Sequence, residues 1–428
     1  MNLTDLDLFE ALCATIALLF AAYALIWLVR RLSRSREGFN IGKQITFAFA
    51  LRIFAAIGLG QLSIAQNLRG GDELTFLARA KDVAVLPLGG PQSLEYLTSQ
   101  LHTFLFSIHY RIFDVTPPEL MMRVEMVLFA TVGIALLSAA VYELAGARPA
   151  MIVAWILALE PANVFFSSLL HKEPLMYLAE GMVAFGGAVL WKRGKLAALL
   201  PMIAGCLIAV ATRPYVGWFL IAAAAAVVLH ASLTRQRGLQ SVALTSLCVV
   251  GIAAFIPVML NKSSDENLTQ LQQSQDFNAQ DKTANLSLER VDYSTREKLI
   301  LNLPKRIKDL ILRPYPWQTQ NTSQQLGAVG SLVVLACLAL LAMAIARNRN
   351  QIMQMAGPLV YPAAFMLVAY AISAGNAGTA YRYRTHLVGL AVSLVIVLLA
   401  NRRQEQEGLS RASKRPGLAT ISRTRTAI

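Results

Sequence analysis

Eleven apolar runs punctuate this chain, near 8–29, 44–65, 121–143, 149–169, 174–191, 196–212, 214–233, 240–260, 327–346, 352–374 and 385–401. Each approaches the roughly 20 residues that a helix needs to cross a bilayer. Lipid offers no partner to unpaired backbone groups, so runs of this kind fold as helices. The expected fold is therefore all-α, a polytopic membrane protein with about 11 transmembrane helices. Composition agrees: of 428 residues, 56% are hydrophobic and 15% charged, against about a quarter charged in soluble chains. The four cysteines all lie inside apolar runs without paired spacing, which implies neither a disulfide framework nor a zinc site.

Charge sets the expected orientation, because Lys and Arg near helix ends stay in the cytoplasm. With the N-terminus outside, the first inward turn holds Arg30, Arg31, Arg34, Arg36 and Lys43. Later inward turns hold Arg148, then Lys192, Arg193 and Lys195, then Arg235 and Arg237, then Arg347 and Arg349. Arg30–Arg36 follow the first run as a stop-transfer cluster, so that run reads as a retained anchor and not a cleaved signal. Residues 1–402 then form one transmembrane domain with external loops at about 66–120 and 261–326. Residues 403–428 form a basic, disordered cytoplasmic tail. The net charge of +14 is orientation signal and contact with anionic membrane lipids, and no nucleic acid is needed to explain it. Within the loops, Leu94–Phe113 has amphipathic spacing, and 291–312 reads as a helix that Pro304 kinks or restarts.

Several polar residues have no role in spanning lipid. Gly70-Gly71-Asp72-Glu73 follows the second run and precedes a helical stretch at Leu74–Ala80. It can be read as an N-cap with a second acid in the first turn. It can equally be read as a general base, with Asp72 or Glu73 taking the proton of an acceptor hydroxyl. The other outward segments bring basic and aromatic groups: His171-Lys172-Glu173, Arg213-Pro214-Tyr215, Arg313-Pro314-Tyr315-Pro316-Trp317 and Tyr381-Arg382-Tyr383-Arg384. Snorkelling explains any one such Arg. Taken together, Arg213, Arg313, Arg382 and Arg384 suit the phosphate of a donor, since guanidinium binds phosphate oxygens in pairs. His171, Lys172, Glu173 and Tyr383 are candidate substrate contacts. Tyr315 and Trp317 are interfacial anchors or platforms for a sugar face. The histidines are scattered, so no zinc site is expected; a divalent ion such as Mg2+ on Asp72 and Glu73 is an open alternative. Arg52, at mid-depth in the second run, is expected to pair with Glu160, with Glu180 a third candidate; a transport pathway through these three is the competing reading.

A Gly-Asp-Glu in the first external loop, an outward Lys-Glu after the fourth helix and a Tyr-Arg-Tyr-Arg before a late helix resemble the GT-C superfamily. These are integral-membrane glycosyltransferases that use polyprenyl-phosphate sugars, among them protein mannosyltransferases and aminoarabinose transferases. The resemblance implies Asp72 as the loop-one acid and Arg382 and Arg384 as ligands of the donor phosphate. The partners it implies are a polyprenyl-phosphate-linked sugar and a polysaccharide or glycan acceptor at the bacterial inner membrane. Here the acidic motif follows the second helix, where that superfamily has it after the first, and no soluble C-terminal domain follows. The late basic loop is similar to O-antigen polymerases and ligases, which move glycans from undecaprenyl pyrophosphate. A transporter or flippase of a lipid-linked or anionic solute is the alternative function, and a scaffold in a polysaccharide-export complex a third.

Overall fold

A computed structural model describes residues 8–61, 63–113, 118–235, 268–273, 276, 288, 291–313, 315, 317, 322–347 and 351–413. Every labelled element among them is helical. In chain order these are α1 (Leu8–Ser33), α2 (Gly42–Gln61), α3 (Ser63–Ala84), α4 (Pro91–Ser99) and α5 (Leu101–Phe113). Then come α6 (Glu119–Ala145), α7 (Ala147–Leu159), α8 (Pro161–Ser167), α9 (Glu173–Arg193), α10 (Leu199–Thr212) and α11 (Pro214–Arg235). The last four are α12 (Arg296–Leu312), α13 (Thr322–Arg347), α14 (Ile352–Ser373) and α15 (Ala377–Ser413). The described residues form an all-helical structure with several membrane-spanning helices, as expected of a multi-pass membrane protein. Among the described residues, seven helices are long and apolar enough to cross a membrane: α1, α2, α6, α9, α11, α14 and α15. The pair α7–α8, bent by 63°, makes an eighth if it is one span.

The sequence-based count of about eleven is thus higher than the seven or eight found among the described residues. The run at 196–212 forms a shorter apolar helix, and that at 327–346 contributes the apolar stretch Val334–Arg347. The run at 240–260 and the tail beyond Ser413 lie outside the described residues, as does most of the polar stretch 261–290.

The bundle is built around α6 and α9, whose apolar windows are each 78% buried, against 28% for α1 at the periphery. Small residues allow that central contact. A Cβ at Gly133 of α6 would collide with the Tyr177 carbonyl of α9, and one at Gly181 would meet the Gly133 backbone. At the Arg193 end of α9, Glu143 of α6 ties the helices together, 2.7 Å from both Arg36 and Arg193. The opposite end of α9 begins at Glu173, about 30 Å away at 1.5 Å per residue.

The expected single span at 149–169 breaks at Glu160-Pro161. Pro161 has no N–H to give the Leu157 carbonyl four residues back, and it confines Glu160 to an extended conformation (φ −60°, ψ 113°). The Glu160 carboxylate then caps α8, accepting from the Ala162 and Asn163 amides. This leaves the carbonyls of Leu157 and Ala158 without helical donors. Arg52 supplies them: Nη2 donates to Leu157 O at 2.9 Å and Nη1 to Ala158 O at 3.2 Å. Nη1 also reaches Ala48 O, and Nη2 the Asn163 side chain. The expected Arg52–Glu160 ion pair is therefore absent among the described residues. Glu180 is elsewhere, 2.9 Å from His386 Nδ1. Among the described residues no ion pair joins the three groups.

Two further expectations change shape. The amphipathic stretch 94–113 is two helices, α4 and α5, parted at Gln100 (φ −142°, ψ 52°), and α5 buries His102, Phe106 and His109. Pro304 lies inside α12 without ending it.

Candidate functional site

The Gly-Asp-Glu motif is neither a loop nor an N-cap. Asp72 and Glu73 sit inside α3, and successive helical positions point about 100° apart. Glu73 turns inward, fully buried, and pairs with Arg123 of α6. Arg123 also bonds Glu119 at 2.7 Å and the Ser168 carbonyl at 2.9 Å. Asp72 turns the other way, its side chain 59% exposed, and pairs with Arg382 of α15. The two acids therefore point to separate partners, Arg123 and Arg382.

Arg382 links Asp72 to a second, buried carboxylate. Its Nε donates to Glu173 Oε1 at 3.1 Å, and Arg213 Nη2 donates to the same oxygen at 2.5 Å. His171 Nδ1 lies 3.6 Å from Glu173 Oε2. Glu173, a candidate substrate contact by its sequence position, is fully buried and accepts from two guanidinium groups. Lys172, between His171 and Glu173, holds its ammonium 5.3 Å from the Phe76 ring of α3. Arg213 lies 4.5 Å over the Tyr383 ring. Tyr383 in turn shares a 2.7 Å hydroxyl contact with Tyr215 and stacks on Tyr370 at 4.6 Å.

Local sequence explains these positions. Pro174 and Pro214 occupy the first turns of α9 and α11, where a missing N–H costs nothing. His171-Lys172-Glu173 and Arg213 are thereby held at helix ends, and the next helix sets their direction. Asn376 caps α15 by accepting from the Thr379 amide at 2.7 Å, which places Arg382 in the second turn.

The cluster carries three cations, Lys172, Arg213 and Arg382, against two carboxylates, Asp72 and Glu173. Lys172 has no carboxylate partner among the described residues. Burial, reinforced by the charge of Arg213, brings the Lys172 pKa down to about 8. Partial burial alone would raise the Asp72 pKa, but Arg382 beside it prevails and holds the carboxyl below its usual value. Burial opposes the charge on Arg213, yet Glu173 outweighs it and keeps the guanidinium firmly protonated. Among the described residues no hydrogen bond reaches Glu173 Oε2, either ring nitrogen of His171 or Arg213 Nε.

The four arginines expected on one phosphate divide into two pairs. Arg382 and Arg384 are two positions apart on α15, hence about 200° apart around the helix. Arg384 faces α12 and α13, with Nη1 2.8 Å from both Ile311 O and Ser331 Oγ. Arg313 is on that same side, 3.2 Å from Asp309 and 5.7 Å from the Tyr315 ring. Tyr315 and Trp317 stack on each other at 4.9 Å, and Trp317 is 79% exposed.

Arg123, Phe76 and Tyr370 shape the site without having been singled out in the sequence, whereas Tyr215 stood beside Arg213 in one of the outward segments. Arg123 had a visible signal, an acid four residues earlier at the start of an apolar helix. Tyr370 had none, because it belongs to an apolar run. Comparison with known proteins finds no matching family, no matching curated protein and no matching solved structure.

Proposed function

We propose that this chain is a bacterial inner-membrane glycosyltransferase of the GT-C kind. It moves a sugar or glycan from a polyprenyl-phosphate carrier to an acceptor on the extracytoplasmic face, in envelope polysaccharide assembly. In this reading the chain crosses the membrane about eleven times, the Arg36–Arg193 end is cytoplasmic and the Asp72 end faces out.

The observation that carries the reading is the Asp72–Arg382 pair, which joins residues 310 positions apart, with Glu173, Arg213 and Lys172 behind it. A transport pathway requires Arg52, Glu160 and Glu180 to face one another, and Arg52 is instead committed to the broken helix α7–α8.

The donor phosphate meets Arg382 and Lys172, with Glu173 fixing Arg382 and Arg213 in place. Asp72, the most exposed acid of the cluster, orients the acceptor hydroxyl. As Arg382 engages the phosphate, its hold on Asp72 weakens and the carboxylate becomes a better base. The hydroxyl oxygen attacks the sugar carbon, its proton passes to Asp72, and the carbon–oxygen bond to phosphate breaks with the charge stabilised by the cations. A single surplus positive charge suits a phosphodiester monoanion better than a pyrophosphate. An apolar groove of about 440 Å³, lined by Leu51, Phe54, Leu59, Leu159, Pro161 and Phe165, can take the isoprenoid tail.

The test is transfer of a labelled sugar from a polyprenyl-phosphate donor by the purified protein in liposomes. Asp72→Asn is expected to lower turnover by about 100-fold or more with the protein still folded. Wild-type turnover in that variant contradicts the assignment.

A further inference from the structure

Between α8 and α9 the chain turns through Ser168-Leu169-Leu170-His171-Lys172, and this turn has little backbone structure of its own. Leu169, Leu170 and His171 make no backbone–backbone hydrogen bond among the described residues. Side chains hold the turn instead. Leu169 packs with Leu59, Ala162 and Phe166, and Leu170 with Phe76, Phe106 and Met122. At the far end Glu173 accepts from Arg213 and Arg382. At the near end Ser168 is held twice. Its hydroxyl donates to the Arg52 carbonyl at 3.0 Å, and its own carbonyl accepts from Arg123 Nη1 at 2.9 Å.

Arg123 is 1% exposed, and every nitrogen of its guanidinium is engaged. Nε and Nη2 donate to Glu119 Oε1 at 3.1 and 2.7 Å, and Nη2 also donates to Glu73. Glu119 is one turn earlier on α6 itself, so it fixes the direction in which the guanidinium points. From there the rigid plane reaches two other segments. One is α3, where Glu73 is the next residue after Asp72. The other is the turn that carries Lys172. The bond to Glu73 is enough to staple α3 to α6; the bond from Nη1 adds a segment that the staple does not need.

We infer that Arg123 is a positioning residue: by holding Glu73 and the Ser168 carbonyl on one rigid plane, it sets where Lys172 stands relative to Asp72. The inference rests on the reading of Lys172 as a phosphate contact and Asp72 as the base. Arg123 touches no substrate, and its effect passes through the turn. Glu73→Gln leaves this arrangement in place, because an amide oxygen still accepts from Nη2.

The test breaks the link to Ser168. Arg123→Gln combined with Glu73→Gln shortens the reach to the turn without leaving a fully buried carboxylate unpaired. Farnesyl phosphate binding is measured at pH 7 and pH 9. The wild type and Glu73→Gln are expected to lose about tenfold between the two values, as a correctly placed Lys172 loses its charge. The double variant is expected to bind more weakly at pH 7 and to change by less than about twofold, the profile of a chain lacking Lys172. Its kcat for sugar transfer should fall about 100-fold, the cost of a misplacement of about 1 Å. A general loosening lowers the amount of folded protein and leaves the pH profile of the folded fraction intact.

Should the double variant fail to fold, Leu169 is replaced by its α-hydroxy acid in cell-free translation. The Ser168 carbonyl then belongs to an ester, a weaker acceptor, with every side chain unchanged, and the drop between pH 7 and pH 9 should again shrink. A tenfold drop retained in the folded variant overturns the inference, whatever its rate of transfer. A wild type that transfers no sugar refutes the transferase reading, and the binding profile still decides the role of Arg123.

Discussion

Arg52 and Arg382 are both arginines in a largely apolar bundle, and they are used in opposite ways. All four hydrogen bonds of Arg52 go to neutral oxygens, three of them backbone carbonyls. Arg382 meets two carboxylates from two other helices. Around Arg52 the need comes from the chain itself, since Pro161 breaks a helix and leaves carbonyls that must be satisfied. Around Arg382 the neighbours are charges, one of them largely exposed, with unused polar atoms and a surplus cation nearby. A buried charge is therefore a sign of function only once the backbone's own demands are counted.

That contrast can be broken by mutation. The largest stability effect is expected at Arg52. Arg52→Met removes the donors to Leu157 and Ala158, and at about 1–3 kcal/mol for each buried group left unsatisfied should cost about 4 kcal/mol. Denaturant unfolding in detergent measures it, and a loss below about 1 kcal/mol would remove the structural role. Next is Glu73→Gln, which breaks the buried pair with Arg123. About 2 kcal/mol of destabilisation is expected, less than the 3–5 typical of a severed buried pair, because Arg123 keeps Glu119. Turnover per folded molecule should stay near wild type, in contrast to Asp72→Asn.

The smallest expected effect sharpens the other side of the comparison. Lys172 is charged below its pKa of about 8, so its attraction for an anion is complete at pH 7 and is lost as pH rises through 8. Farnesyl phosphate should bind about tenfold more weakly at pH 9 than at pH 7, about 1.4 kcal/mol. Lys172→Met should be weak at both values and flat between them. An unchanged pH profile in that variant would take Lys172 out of the site.

Much of the bundle was legible in the sequence, because a run long enough to cross lipid has few alternatives to a helix. Lys172 and Arg213 lie at helix ends and Arg382 in the second turn of α15, whereas Asp72 reaches them from the middle of α3. The errors have local causes. The Gly70-Gly71 pair reads as a break, yet α3 runs through it, and the helix packs against α5 further along at Phe76 and Ala80. Treating 381–384 as a loop concealed that Arg382 and Arg384 point to opposite sides; a helical reading of the same residues separates them at once. Pro161 inside an apolar run was a visible signal for the bend, and the bend in turn explains Arg52. The partner of Glu73 was not legible, because nothing in sequence links residue 73 to residue 123 before the helices pack.

The central claim is that Asp72 and Arg382 act as one unit over a single phosphate group, and a double-mutant cycle on sugar transfer tests it most directly. Residues that work as a unit lose their contribution once. Asp72→Asn combined with Arg382→Gln should therefore be little slower than the slower single variant. Losses that multiply, leaving the double variant slower by the product of the two single effects, would contradict the account.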